Sequence, residues 1–410
     1  MPTRERSRAP QHAALPTSPG GGWLGAAAVY GGAALLGAYL FQTRARVRAE
    51  HEHPPSGRFL DVGGTRLHYV DIGAGPPVVL IHSGGTTLED WFISSLADEL
   101  VPHHRLVLVD RPGYGYSSRP AGTDWSPERQ GRALAHLMHR LGVYRATLVA
   151  HADAALPAIA LALAYPGFAR ALTLLNPIAF PGGAPASAAA PVPGIPLLAP
   201  VARATALPSL ARSGLPALFR ASFEPQPVPA TYAAAFPAGL VTRPAQLSAS
   251  AQDATAIDAA ATRLSQRYSD LDIPVTVVAG SGDAIVDPDA QARRLARTIG
   301  HARLIVVPAA GHMVHHSAPS RVAAAIIDTA TAPRALAAAP PGAKDTMTPR
   351  APAPSAPPAP SAPPPAAPSR SATAERAAPK RSPAKAKGGG GKRSPARRQT
   401  AKRGPTKPAT

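Results

Sequence analysis

"ATLVAHADAALPAIALALAYP", residues 146–166, decides how this chain is read. It opens as a buried strand, turns sharply and continues as a helix. The apex of the turn is His151-Ala152-Asp153. A strand-to-helix elbow of this kind exposes one side chain at the edge of a sheet, and here that side chain is a methyl group. Alanine has no nucleophilic atom, so either the chemistry lies elsewhere or this position has lost it.

Working outward, the same texture recurs. "RFLDV" and "RLHYVDI" surround Gly63-Gly64, a hairpin signal. Short apolar runs follow at 78–82, 106–110, 147–151, 171–175, 275–280 and 303–308, separated by segments of helical length such as "ERQGRALAHLMHRLG". Alternating helices and continuously apolar strands predict an α/β class fold: a mostly parallel, doubly wound sheet covered on both faces. Residues 177–263 break the alternation, being Ala/Pro-rich and poorly periodic, and predict a helical cap inserted between a first core part, 58–176, and a second, 264–328.

Composition bounds the rest. The 410 residues suffice for one large domain or two ordinary ones. Cysteine is absent, which excludes disulfides and thiolate-ligated metal. The formal net charge of +19 suggests nucleic acid until it is located: residues 333–410 hold sixteen Lys or Arg against Asp345 and Glu375, which is +14 of the total. The charge belongs to a Pro/Ala-rich tail, read as disordered. Its repeated units "KRSPAKAK" and "KRSPARR" resemble the tails of linker histones and histone-like bacterial proteins. Such a tail predicts salt-dependent binding to nucleic acid or to anionic lipid.

At the other end, residues 1–19 are polar and read as disordered, and residues 20–41 contain no charge. Twenty-two helical residues span about 33 Å, and Trp23 and Tyr39 stand near the ends, which predicts a single-pass transmembrane anchor. Arg44, Arg46 and Arg48 abut the apolar run more closely than Arg4, Arg6 and Arg8, and so place the domain on the cytoplasmic side.

Four landmarks together resemble the α/β-hydrolase family across roughly residues 58–328. "VVLIHSGG" looks like that family's strand with its oxyanion loop, and "LVLVDRPGYGYSSRP" like its Asp-x-x-Gly-x-Gly-x-Ser segment. "VVAGSGDAIVDP" resembles the strand and loop carrying the acid, and "VPAAGHMVHHSAP" the loop carrying the histidine. The resemblance implies hydrolysis of an ester, amide, epoxide or carbon–halogen bond in a small apolar substrate, with neither metal nor organic cofactor. In that chemistry an imidazole deprotonates a serine, a carboxylate orients the imidazole, and backbone N–H groups stabilise the oxyanion.

Carried over residue by residue, the acid falls on Asp283, the histidine on His312 and the nucleophile on Ala152. The oxyanion donors fall on Asp153 and on Ser83-Gly84. The usual G-x-S-x-G elbow reads Ala150-x-Ala152-x-Ala154. Asp153 is one position late to act as a dehalogenase-type nucleophile and reads instead as an acid favoured by the helix dipole. Ser83 reads as a loop hydroxyl. His315 and His316 read as solvent- or partner-facing, and with no HExxH helix or nearby carboxylate cluster no metal site is implied. His82 is expected to order its loop, and Asp110 and Arg111 to fix the turn that follows them. Three functions remain open: a degenerate member that retains Asp283 and His312 without a nucleophile, an active hydrolase using water or an unrecognised nucleophile, and a passive platform for the basic tail.

Overall fold

The computed structural model describes residues 22–183, 201 and 204–333. The expectations for residues 1–19 and for the basic tail beyond Pro333, including its nucleic-acid and lipid partners, lie outside those residues.

The first described element corrects the anchor. Helix α1 (Gly22–Glu52) does not stop at Phe41 but runs on through Arg44, Arg46, Arg48, Glu50 and Glu52. Its second half is committed to the protein. Gln42 Nε2 donates to Thr205 O and Ser209 Oγ, both at 2.9 Å. Glu50 accepts from Arg243 at 3.0 Å, and Ala49 is buried. Among the described residues, no helix is long and apolar enough to cross a membrane. The expected single-pass anchor therefore falls, and with it the membrane location and the orientation drawn from the arginines. The charge-free run was misleading because Ala and Gly add little lipophilicity.

Strands β1 (Arg58–Val62) and β2 (Thr65–Ile72) form the expected hairpin. Its two-residue turn needs left-handed backbone twice, and Gly63 and Gly64 supply it at φ 57° and 79°. Next come β3 (Pro77–Ile81), β4 (Arg105–Val109), β5 (Ala146–His151), β6 (Ala169–Leu175), β7 (Val275–Gly280) and β8 (Arg303–Val307). They assemble in the order β1-β2-β4-β3-β5-β6-β7-β8. Only β1 and β2 run against their neighbours, and β4 through β8 are parallel.

Alternation along the strands serves two cores, as period-two geometry requires. Val79 and Ile81 join one apolar cluster, Val78 and Leu80 the other. On the first face lie α2 (Pro127–Arg140) and α3 (Ala155–Ala164). Helix α2 starts cleanly, with Pro127 in its first turn and Ser126 Oγ accepting from the Arg129 N–H. The connection between β6 and β7 carries α4 (Leu207–Phe223), two short helices (Ala230–Ala235 and Ala238–Val241) and α5 (Pro244–Ser265). The last helix, α6 (Pro319–Thr331), covers the second face with Trp91, Leu96 and Leu100. A third apolar cluster joins Leu215, Phe223, Tyr232 and Phe236 from the β6–β7 connection to Met313.

Candidate active site

β5 is buried along its whole length and passes into a helix without a loop. A reversal this tight forces one residue into the left-handed region, and that residue is Ala152, at φ 51°. For a residue bearing a Cβ this conformation costs roughly 1–2 kcal/mol. Ala150 and Ala154 on either side are fully buried, and the Ile178 N–H is held by Ala152 O at 3.0 Å. The strained elbow persists around a side chain with no reactive atom.

Asp283 and His312 meet across the ends of β7 and β8. His312 Nδ1 lies 2.9 Å from Asp283 Oδ2. The carboxylate is fixed on every side: Asn176 Nδ2 donates to Oδ2 at 2.6 Å, and the Ile285 and Val286 N–H groups each donate to Oδ1 at 2.9 Å. Burial alone would raise the Asp283 pKa, but the His312 hydrogen bond and charge, with the Val286 and Asn176 donors, hold it below the ordinary carboxylate value. An ionised Asp283 fixes the proton on His312 Nδ1. Asn176 was not legible as a site residue; its one sequence signal is a polar side chain directly after the apolar run of β6.

Asp153 follows the elbow, as the residue-by-residue comparison places it, and its carboxylate is held from two sides. The Gly84 N–H donates to Asp153 Oδ1 at 2.7 Å, and Arg111 Nη1 donates to Oδ2 at 2.6 Å. Arg111 does far more than fix a turn. Fully buried, it also donates to Asp253 Oδ2 at 2.7 Å and to Gln130 Oε1 at 3.0 Å. Asp253 comes from α5 and also accepts from Tyr114, Arg119 and Gln130. Burial opposes the charge on Arg111, but Asp153 and Asp253 outweigh it and hold the pKa above the ordinary value.

The remaining candidates divide. Ser83 is buried, with Oγ 3.5 Å from Thr86 Oγ1, and no contact joins it to His312 among the described residues. His82 orders its loop: Nδ1 lies 2.8 Å from Ser83 O, and Nε2 accepts the Arg111 N–H at 3.0 Å. Burial lowers its pKa. Asp110 accepts from the Leu88 and Tyr116 N–H groups and from His68 Nδ1.

His315 and His316 require correction, because neither faces solvent. His315 is fully buried, and the two Nε2 atoms lie 2.9 Å from the two oxygens of Asp90. Burial pushes His315 down to about 4. Behind them sits His151, its ring 4.7 Å from His315 and 4.8 Å from His312, with Nε2 3.0 Å from His312 O. Asp90 escaped notice because it lies 225 residues before His315.

A cavity of about 940 Å³ lies among Tyr39, Arg46, Arg66, Tyr116, Arg119 and Arg243. Among the described residues, neither it nor the two smaller cavities is lined by Ala152, Asp283 or His312.

Comparison with known proteins agrees with this architecture. The family description "alpha/beta hydrolase fold" matches residues 76–319. The chain is 31% identical over 123 residues to 2-hydroxy-6-oxo-2,4-heptadienoate hydrolase of Pseudomonas putida, covering 30% of this chain and 45% of that one. It is 31% identical over 93 residues to haloalkane dehalogenase 2 of Mycobacterium bovis, covering 23% and 32%. The chain therefore spans less than half the length of either curated relative. Among solved structures, the enol-lactonase from Burkholderia xenovorans LB400 superposes with a TM-score of 0.54 at 26% identity, covering 67% of this chain and all of that one. With the matched region taking in more than half of its length, and the sheet order and elbow in place, the chain belongs to the α/β-hydrolase fold family.

Proposed function

We propose that this protein is a degenerate hydrolase, unable to perform covalent acyl transfer by the family's usual route. One observation carries the reading: the Asp153 carboxylate sits on the Gly84 N–H at 2.7 Å, beside an elbow whose apex is Ala152. An oxyanion hole works by offering unspent N–H donors to charge that develops in the transition state. A carboxylate already bound there spends a donor and opposes a second negative charge. The retained Asp283–His312 pair then has no hydroxyl to activate, and its tight hydrogen bonding gives it a structural role.

The names of the relatives, a 2-hydroxy-6-oxo-2,4-heptadienoate hydrolase, a haloalkane dehalogenase and an enol-lactonase, support small organic molecules as the substrate class of such a site. The test is turnover of short-chain p-nitrophenyl esters by the full chain, with Ala152→Ser, Asp153→Ala, the double variant and His312→Ala alongside. Silence in the wild type with activity in the double variant supports the reading. Wild-type turnover abolished by His312→Ala overturns it and favours water or another nucleophile activated by His312.

A further inference from the structure

Asp90, His315 and His316 form a second cluster, with no part in the proposed loss of acyl transfer. Asp90 begins a short helix (Asp90–Ile93) beyond the loop that follows β3, and the histidines lie in a one-turn helix (Val314–Ser317) beyond β8. Their side chains are buried, at 2%, 0% and 3% exposure. Asp90 Oδ2 lies 2.9 Å from His315 Nε2, and Asp90 Oδ1 lies 2.9 Å from His316 Nε2. One donor atom from each residue falls within 4.8 Å of the others.

We propose that these three residues form a divalent-cation site able to take zinc. Two imidazoles and one carboxylate are a zinc donor set, and three protein ligands leave a fourth position for water. In a tetrahedral zinc site the donor atoms stand about 3.3 Å apart. The two imidazoles meet different oxygens of Asp90 at 2.9 Å, so an ion held by one donor atom from each residue must draw in a set that now spans up to 4.8 Å, closing the widest pair by about 1.5 Å through side-chain rotation. Without metal, each imidazole presents a proton on Nε2 to the carboxylate; on binding, the ion takes the Nε2 lone pair, and that proton moves to Nδ1 of a neutral ring or to solvent from a charged one.

A second, independent observation points to the same place. Thr87 Oγ1 and Trp91 Nε1, on either side of Asp90 in sequence, are buried without a hydrogen-bond partner, and so is Ser317 Oγ beside His316. Buried polar atoms without partners are uncommon and mark an absent water or ion. The Trp91 ring stands 5.0 Å from that of His315, so its unpartnered N–H belongs to a residue packed against the cluster. No sequence motif announces the site, since the histidines acquire their carboxylate only through the fold.

The cation would tie the loop after β3, which carries Gly84, to the loop after β8, which carries His312. It would act as a structural clamp, separated from His312 by the His151 ring.

The test uses the untagged full chain, dialysed against a chelator and titrated with Zn²⁺ alone. The expected result is one equivalent bound per chain with a raised melting temperature, both retained in His312→Ala and both lost in Asp90→Asn and His316→Ala. No retained zinc in the wild type, or one equivalent that persists in both variants, overturns the site. Should either variant fail to fold, imidazole ¹⁵N resonances of the wild type decide. Zinc must shift two histidines, His315 and His316, through loss of the proton on Nε2; unchanged resonances overturn the proposal. The ester assay reads none of these quantities, so either proposal can fail alone.

Discussion

The Asp153 carboxylate and the Gly84 N–H are 2.7 Å apart, so this backbone donor is already engaged by the residue that follows Ala152. On the proposed reading, a hydroxyl placed on Ala152 would find no free donor at Gly84. Ala152→Ser alone is therefore expected to leave p-nitrophenyl acetate turnover at the level of the wild type. Adding Asp153→Ala frees the donor, and removing one oxyanion-hole donor costs about 10²–10³ in kcat elsewhere. The double variant should exceed the single one by a factor of roughly that size, measured as initial rate against enzyme concentration.

Arg111 is a buried cation between two buried carboxylates, Asp153 and Asp253. Replacing it with an apolar side chain strands both acids. Breaking a buried ion pair from one side costs about 3–5 kcal/mol, so Arg111→Met should lower the urea midpoint by that free energy, with Asp253→Ala at the lower end because Asp153 still partners the arginine. Equilibrium unfolding followed by tryptophan fluorescence reads both.

Asp283 sets a pH dependence whose sign is fixed by geometry. Its folded-state pKa is depressed, so the unfolded chain binds the proton first. The stabilisation is complete above the ordinary carboxylate pKa of roughly 4 and is lost as pH falls through the lower folded value. Asp283→Asn should therefore flatten the acid limb of a stability-against-pH curve while lowering stability at neutral pH.

Gly131 lies inside α2, where exchange for alanine ordinarily stabilises an exposed helix by about 1 kcal/mol. Here a Cβ would stand 2.7 Å from Pro157 O and 3.0 Å from Leu161 N, both backbone atoms of α3. The helices must separate, so Gly131→Ala is expected to destabilise by about 1–3 kcal/mol. Thermal unfolding of the single variant checks the sign.

The strands, the Gly63-Gly64 turn and the elbow at Ala152 were legible because each is written in adjacent residues: apolar runs of strand length, a pair of glycines, a strand passing directly into a helix. The meeting of Asp283 with His312 was legible only through family resemblance. What escaped was written between segments. Asp153 reads as an ordinary acid in a helix's first turn until Arg111 and Gly84 arrive from two other strand ends. Asp253 sits in an Ala-rich helix with nothing local to mark it. His315 and His316 read as polar until Asp90 buries them. The misread anchor has the opposite cause: absence of charge over residues 20–41 was taken for lipophilicity, and the continuation of α1 through its arginines was not anticipated.

The bonds from Gln42 to Thr205 and Ser209, and from Glu50 to Arg243, join α1 to two places in the helical connection between β6 and β7, one beside α4 and one just before α5. That connection also carries Asp253, whose bond to Arg111 leads on to Asp153 beside the elbow. It cannot swing outward as a hinged lid without pulling on a 31-residue rod. Movement of that connection is thereby geared to the amino-terminal helix, which also leads directly into the first strand of the sheet.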